Sequence, residues 1–297
     1  LIAIVIIIII VIIAVAAYVL LSGNNNNNNE ETLAPGTTLT YDYTDSSGAT
    51  VTVEKETIGQ NATQYFEKVT IGDSPATYNL SPKLTSNDVE ITGTADLDTI
   101  DGLKTLTIVE YNIIDPNLGA VSVTSYADQD NGLFYKIELT YADPASTTGG
   151  QLTDTMVLKD KDLVWQKSYT ESSSIGKTYG YSYTLFGTVA APANIICVAD
   201  CLNGQFGVEY DFSAIDESAV IYFLSDNIQG LPTDAVDTGT TSDLTNTIDG
   251  NVTVELWSVA QSDGTFVFLY EPNSHIIYVI ALITSIGELD FNLVSKA

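Results

Sequence analysis

Hydrophobic and polar residues change their periodicity twice along the 297-residue chain. From Leu1 to Leu21 every residue is apolar except for the phenol of Tyr18. With no polar stripe, the stretch predicts a helix apolar on every face, Leu1, Ile4, Ile8, Ile12, Val15 and Val19 among its contact positions. At 1.5 Å per residue it would span about 31 Å, close to the hydrocarbon thickness of a bilayer. Ser22-Gly23 supplies the stop, glycine suiting the left-handed position after a helix. Six consecutive asparagines follow, Asn24 to Asn29, with no period of either kind. Asparagine tolerates left-handed backbone and bonds its own main chain, which predicts a hinge through Gly23, Asn24 and Asn29, closed by Pro35-Gly36.

From Thr37 the pattern shortens to period two. Leu39–Thr44 and Ala49–Glu54 flank Asp45-Ser-Ser-Gly48, a hairpin signature. Val121–Tyr126 and Leu133–Tyr141 flank a segment containing Asp130-Asn-Gly132, and Val252–Val259 and Thr265–Tyr270 flank Ser262-Asp-Gly264. Thr, Tyr and Val dominate and no long 3.6-residue period occurs, so an antiparallel β domain is expected. The longest later apolar run, Ile276 to Ile283, is short enough to be a buried strand rather than a second span. No internal repeat is evident. A texture change near Ala190-Ala-Pro192 suggests a division into 1–23 helix, 24–36 linker, 37–189 first β-rich lobe, and 190–297 second lobe or continuation. The expected fold class is therefore a long N-terminal hydrophobic α-helix plus a mainly antiparallel β domain, either a β-sandwich of Ig-like kind or two packed β-lobes.

Charge sharpens this division. There are 38 acidic and 10 basic side chains, for a net charge of −28, and none lies within residues 1–29. The basic residues are all lysine. Such a chain repels phosphate backbones and lacks the arginine fork that reads bases, which argues against nucleic-acid partners. One histidine, His275, and two cysteines leave no histidine cage or Cys₄ zinc site.

An apolar start of about twenty Ile/Val/Leu/Ala residues, beginning at Leu1 as though a leader had been removed, followed by a β-rich exterior, resembles the type IV pilin superfamily. The likeness is to archaeal adhesion pilins and, more distantly, archaellins; it covers residues 1–23. Leu1 and Val5 stand where bacterial pilins usually carry Phe and Glu, and no Gly-Leu-Glu opening of the archaellin kind is present. The resemblance implies an extracellular cell-surface filament of identical subunits, inserted in the cytoplasmic membrane as precursor, with the helix as filament core and adhesion as the role. A plain membrane anchor is the simpler alternative. A cleavable secretory signal fits less well, because no positive region precedes the run.

Cys197 and Cys201, spaced as Cys-Val-Ala-Asp-Cys, are a candidate disulfide in an exported chain, with two free thiols as the alternative. Their Cα atoms must approach within about 7 Å, which an extended strand forbids. Sequons at Asn61, Asn79 and Asn251 are candidate N-glycosylation sites. Acidic groups at Asp96, Asp98 and Asp101, and at Asp128 and Asp130, lack the EF-hand spacing, so solvated turn carboxylates are the plainer reading and calcium the alternative. No catalytic constellation assembles around His275. No cofactor or resident metal is expected. The sequence reads as a non-enzymatic, self-assembling subunit exposing an acidic β domain; the alternative is a membrane-anchored surface binding module acting as a monomer.

Overall fold

The computed structural model describes residues 32–83, 90–115, 118–128, 133–146, 149–166, 169–185, 188–214, 220–261, 264–284 and 287–296. It divides into two compact units, one running through Thr170 and the other from Glu171. That boundary lies upstream of the texture change at Ala190.

The first unit contains β1 (Thr32–Leu33), β2 (Thr38–Thr44), β3 (Thr50–Gln60), β4 (Gln64–Ile71), β5 (Thr77–Pro82) and β6 (Glu90–Thr99). It continues with β7 (Gly102–Asp115), β8 (Gly119–Ala127), β9 (Phe134–Ala142), β10 (Gln151–Asp162) and β11 (Trp165–Gln166). β1 pairs with β11 alone. The others pair antiparallel in the order β5-β4-β3-β2-β10-β9-β8-β7-β6. Alternation explains the buried face: Leu39, Tyr41 and Tyr43 of β2 point inward while Thr38, Thr40 and Asp42 between them stay partly wet. They join Val53, Val69, Leu106, Val123, Ile137, Leu139, Met156 and Leu158 in one core. At the β2–β3 turn Asp45 Oδ1 accepts from the Ser47 and Ala49 amides at 2.9 Å each, and Gly48 takes φ +87°.

The second unit contains β12 (Thr178–Leu185), β13 (Thr188–Cys201), β14 (Phe206–Asp211), β15 (Val220–Ser225) and β16 (Val236–Thr247). β17 (Gly250–Gln261), β18 (Gly264–Glu271), β19 (Ile276–Thr284) and β20 (Gly287–Ser295) complete it. Their order is β15-β14-β13-β12-β20-β19-β18-β17-β16, again all antiparallel. Counted from β2 and β12, this is the strand order of the first unit: three strands run out in sequence from that first strand, and the last strand of the unit returns to pair on its other side. The two units thus repeat one nine-stranded pairing order. The second core is more aromatic, with Tyr210 beside Phe223 at 5.0 Å and Phe268 at 6.0 Å between ring centroids, in edge-to-face packing.

The expected fold class needs correction. The described chain is antiparallel β throughout, apart from a single 3₁₀ turn at Leu202–Gly204. Among the described residues no helix is long and apolar enough to cross a membrane. The helix expected over 1–23, with Leu1, Ile4, Ile8, Ile12, Val15 and Val19, and the hinge at Gly23, Asn24 and Asn29 lie outside the described residues. The helical half of the expected class has no counterpart in the described structure, and the pilin, filament and transmembrane-helix descriptions that rested on it are withdrawn. Only the β part agrees. Within it, a β-sandwich and two β-lobes were the alternatives; the chain divides into two compact units, each pairing nine strands in one continuous order, and a sandwich stays compatible with that pairing. The flanks of all three expected hairpins pair as hairpins. Ile276–Ile283 lies within β19.

Candidate functional site

The repeat extends to side chains, and there it forms the most distinctive sites of the molecule. β7 pairs with β8 only from Thr107 onward, so the β6–β7 hairpin overshoots the end of its neighbour. Its tip is Thr99-Ile100-Asp101-Gly102. Thr99 Oγ1 donates to the Gly102 carbonyl at 2.8 Å and accepts from the Asp101 amide at 3.1 Å. Gly102 takes φ +90°, a left-handed conformation that a side chain would strain. Asp101 is thereby presented to β9 and β10, where Tyr135 Oη and Lys161 Nζ both donate to its Oδ2.

The second unit repeats this arrangement part for part. β17 pairs with β18 only from Glu255, and the overshooting tip is again Thr-Ile-Asp-Gly, residues 247–250. Thr247 Oγ1 donates to the Gly250 carbonyl at 2.7 Å, accepts from the Asp249 amide at 3.2 Å, and Gly250 has φ +92°. Asp249 Oδ2 accepts from Tyr278 Oη of β19 and from Lys296 Nζ just beyond β20. Each lysine also lies over its tyrosine ring, Lys161 at 5.2 Å and Lys296 at 6.0 Å from the centroid. Bonds from Lys161 and Tyr135 hold the Asp101 carboxyl below the usual carboxylate range, and Lys296 and Tyr278 do the same for Asp249. One further pair recurs on the hairpins: Thr105 Oγ1 donates to Asp96 at 2.5 Å and Thr253 Oγ1 to Asp243 at 2.7 Å.

Each clasp borders a cleft. In the first unit the cleft is about 380 Å³, lined by Leu97 and Ile100 of the hairpin, Tyr135 of β9 and Val157 of β10. In the second it is about 350 Å³, lined by Leu244 and Ile248 of the hairpin, Tyr278 of β19 and Val294 of β20. Ile100, Val157, Ile248 and Val294 are 44%, 44%, 46% and 53% exposed, so both clefts offer an apolar lip to solvent. Such a surface suits binding by shape and apolar contact; no nucleophile with an adjacent base lines either cleft.

Other sequence-derived candidates are dispersed. Cys197 and Cys201 are both free thiols within β13, so the expected disulfide is not formed in this strand conformation. Burial, with help from the Asp200 charge, pushes the Cys197 thiol up to about 12, which favours its protonated form. Asn61 is buried, its Oδ1 accepting from the Thr63 and Gln64 amides at 2.9 and 2.7 Å. Asn79 Nδ2 is buried without a hydrogen-bond partner. Asn251 alone of the three is exposed, beside the Gly250 turn. Asp128 pairs with Lys104 at 2.6 Å, while Asp130 lies outside the described residues. Among the described residues no group of three or more His, Cys, Asp or Glu could hold a metal. His275 occupies a turn at φ +59°, its Nδ1 2.6 Å from Tyr270 Oη.

Sequence reasoning missed the clasps because their parts are far apart in the chain. One signal was available: Asp-Leu followed closely by Thr-Ile-Asp-Gly occurs twice, from Asp96 and from Asp243.

No family model matches the chain, and no curated protein matches it. Among solved structures, one described as the crystal structure of MucB is similar over 79% of this chain and 90% of its own, at 12% identity and a TM-score of 0.26. A likeness that faint carries no argument about fold or function.

Proposed function

We propose that the protein is a structural subunit of an extracellular surface assembly, joining copies of itself through residues 1–21 and exposing two acidic β units, with adhesion as the role. The observation that carries this reading is the segregation of charge: none in residues 1–29 and −28 in the remainder. An uninterrupted apolar segment requires apolar surroundings, and copies of the same segment provide them; burying some twenty such side chains is worth about 1.5–3 kcal/mol each before ordering costs. The acidic remainder stays soluble and keeps copies apart except where they are driven together. Among the described residues seven lysines already pair with carboxylates, which leaves the surface excess strongly acidic. Negative-stain electron microscopy of the native full-length chain tests it: ordered multi-subunit particles are expected, and isolated monomers alone would overturn it.

The paired clefts favour a second reading, a surface binding module that acts as a monomer and offers one cleft in each unit. Ile100→Asp and Ile248→Asp would then each weaken attachment of the monomer to its target surface. Unchanged attachment in the double variant would dismiss this alternative.

A further inference from the structure

The first unit buries an ionic cluster, whereas among the described residues of the second unit the buried side chains are apolar or neutral. Lys55 Nζ of β3 lies 2.6 Å from Glu67 Oε2 of β4, each side chain 3% exposed. Ser81 Oγ of β5 donates to the same carboxylate oxygen. Directly across the β4–β5 ladder from Glu67 stands Asn79. Opposed residues of an antiparallel pair share a face, with Cβ atoms about 5 Å apart. The Asn79 carboxamide nitrogen is buried and has no hydrogen-bond partner. Lys55, Glu67 and Asn79 thus bring an amine, a carboxyl and a carboxamide to three adjacent strands. Val53, Val69 and Tyr41 of the surrounding core are all nearly inaccessible to water.

Stability does not account for this cluster. A buried ion pair is commonly no better than apolar residues of the same volume, because both charges lose hydration. The corresponding strands of the second unit demonstrate the apolar solution: Ile195 opposes Tyr210 and Cys197 opposes Val208. Among the described residues the buried charged side chains all belong to the first unit. Burial also pushes the Lys55 ammonium toward its neutral, nucleophilic form, against the pull of Glu67.

We propose that Lys55 and Asn79 become joined by an isopeptide bond in the folded protein, with Glu67 as the catalytic proton carrier. Lys55 Nζ gives a proton to Glu67 and attacks Asn79 Cγ. A C–N bond forms and the carbonyl π electrons move to oxygen. As they return, the bond from Cγ to Nδ2 breaks, Glu67 returns its proton to the departing nitrogen, and ammonia leaves. No oxidant or cofactor is consumed: an amine and a carboxamide become a secondary amide and ammonia. β3 and β5 flank β4 at about 9–10 Å from each other. An extended lysine arm leaning over Glu67, together with the asparagine side chain, bridges that gap. The product ties strand β5 covalently across β4, a useful reinforcement for any protein that bears load outside the cell.

Mass spectrometry of the purified full-length chain tests the proposal. The wild type should be lighter than its sequence mass by one ammonia, about 17 Da, with proteolysis yielding one branched peptide joining Lys55 to Asn79. Lys55→Arg and Glu67→Gln should each restore the full mass, whereas Asn79→Asp should stay cross-linked and lose water instead. A wild type of full mass, a glycan on Asn79, a Lys55–Glu67 linkage, or loss of ammonia mapped to another asparagine would each overturn the proposal. The wild-type peptide map decides the matter even where a variant fails to fold.

Discussion

Replacing Asp154 by alanine should destabilise the first unit by about 3–5 kcal/mol. The carboxylate is buried on β10 and collects four contacts from three partners. Tyr43 Oη donates to Oδ2, Tyr141 Oη lies 3.1 and 3.2 Å from the two oxygens, and the Ser46 amide donates to Oδ1 at 2.8 Å. Hydrogen bonds to a charged group contribute about 1.5–3 kcal/mol each, and buried donors stripped of their acceptor lose their desolvation energy with nothing in return. Three such donors set the upper range, and water entering near the partly buried Ser46 amide reduces it. Tyr43→Phe removes one donor and leaves the carboxylate its other partners, so it should cost only about 1–2 kcal/mol. The two substitutions touch the same bond, so the double variant should fall short of additivity by at least about 1 kcal/mol. Urea unfolding, followed by near-ultraviolet circular dichroism of the tyrosines, measures all four states. An Asp154→Ala variant within 1 kcal/mol of wild type would refute the reasoning, because the buried donors would then have found other partners.

Two further outcomes follow from the turns. Glu271 closes the β18–β19 turn, and bonds from Ser274, joined by those from Asn273, depress its carboxyl to about 2. A depressed folded-state value means the stabilisation is fully present above the ordinary glutamate range and is lost as pH falls toward 2. The melting-temperature gap between wild type and Glu271→Gln should therefore be widest above pH 5 and close toward pH 2; a constant gap would contradict it. N-glycan, where the host supplies it, should be found on Asn251 ahead of Asn61 and Asn79, whose carboxamides are engaged or buried in the folded protein; glycopeptide mapping with sugar at Asn61 and none at Asn251 would count against this.

The β character of the chain was legible because strands such as Thr38–Thr44 alternate strictly between core and solvent, and alternation has one structural meaning. Hairpin flanks were legible for the same reason. Strand order was not, since the pairing of β10 with β2 closes a separation of more than a hundred residues, which no local pattern encodes. The repeat escaped notice because its two cores use different residues: Val and Leu around Tyr41 in one, and Phe and Tyr around Tyr210 in the other. The residues the two units share cluster at the hairpins, namely Thr-Ile-Asp-Gly at the tip, the Asp-Leu before it, the Thr that bonds that Asp, and the Tyr and Lys that hold the tip. Of the two alternatives that the cysteine spacing left open, the structure shows the free thiols, both on β13, whose pairing with β14 shifts register between Cys197 and Ala199. Lys55 and Glu67 read as ordinary strand polar residues in TVTVEKET and QYFEKVTI, since alternation alone does not reveal that this stretch of β3 and β4 is enclosed.

We propose that residues 1–21 drive assembly of the acidic β units, and sedimentation of the full-length chain with and without Ile8→Asp tests it most directly. The wild type should sediment as large assemblies in detergent-free buffer and the variant as a single chain, with the same β-sheet circular dichroism in both. Identical sedimentation of the two, whether assembled or monomeric, would contradict the account.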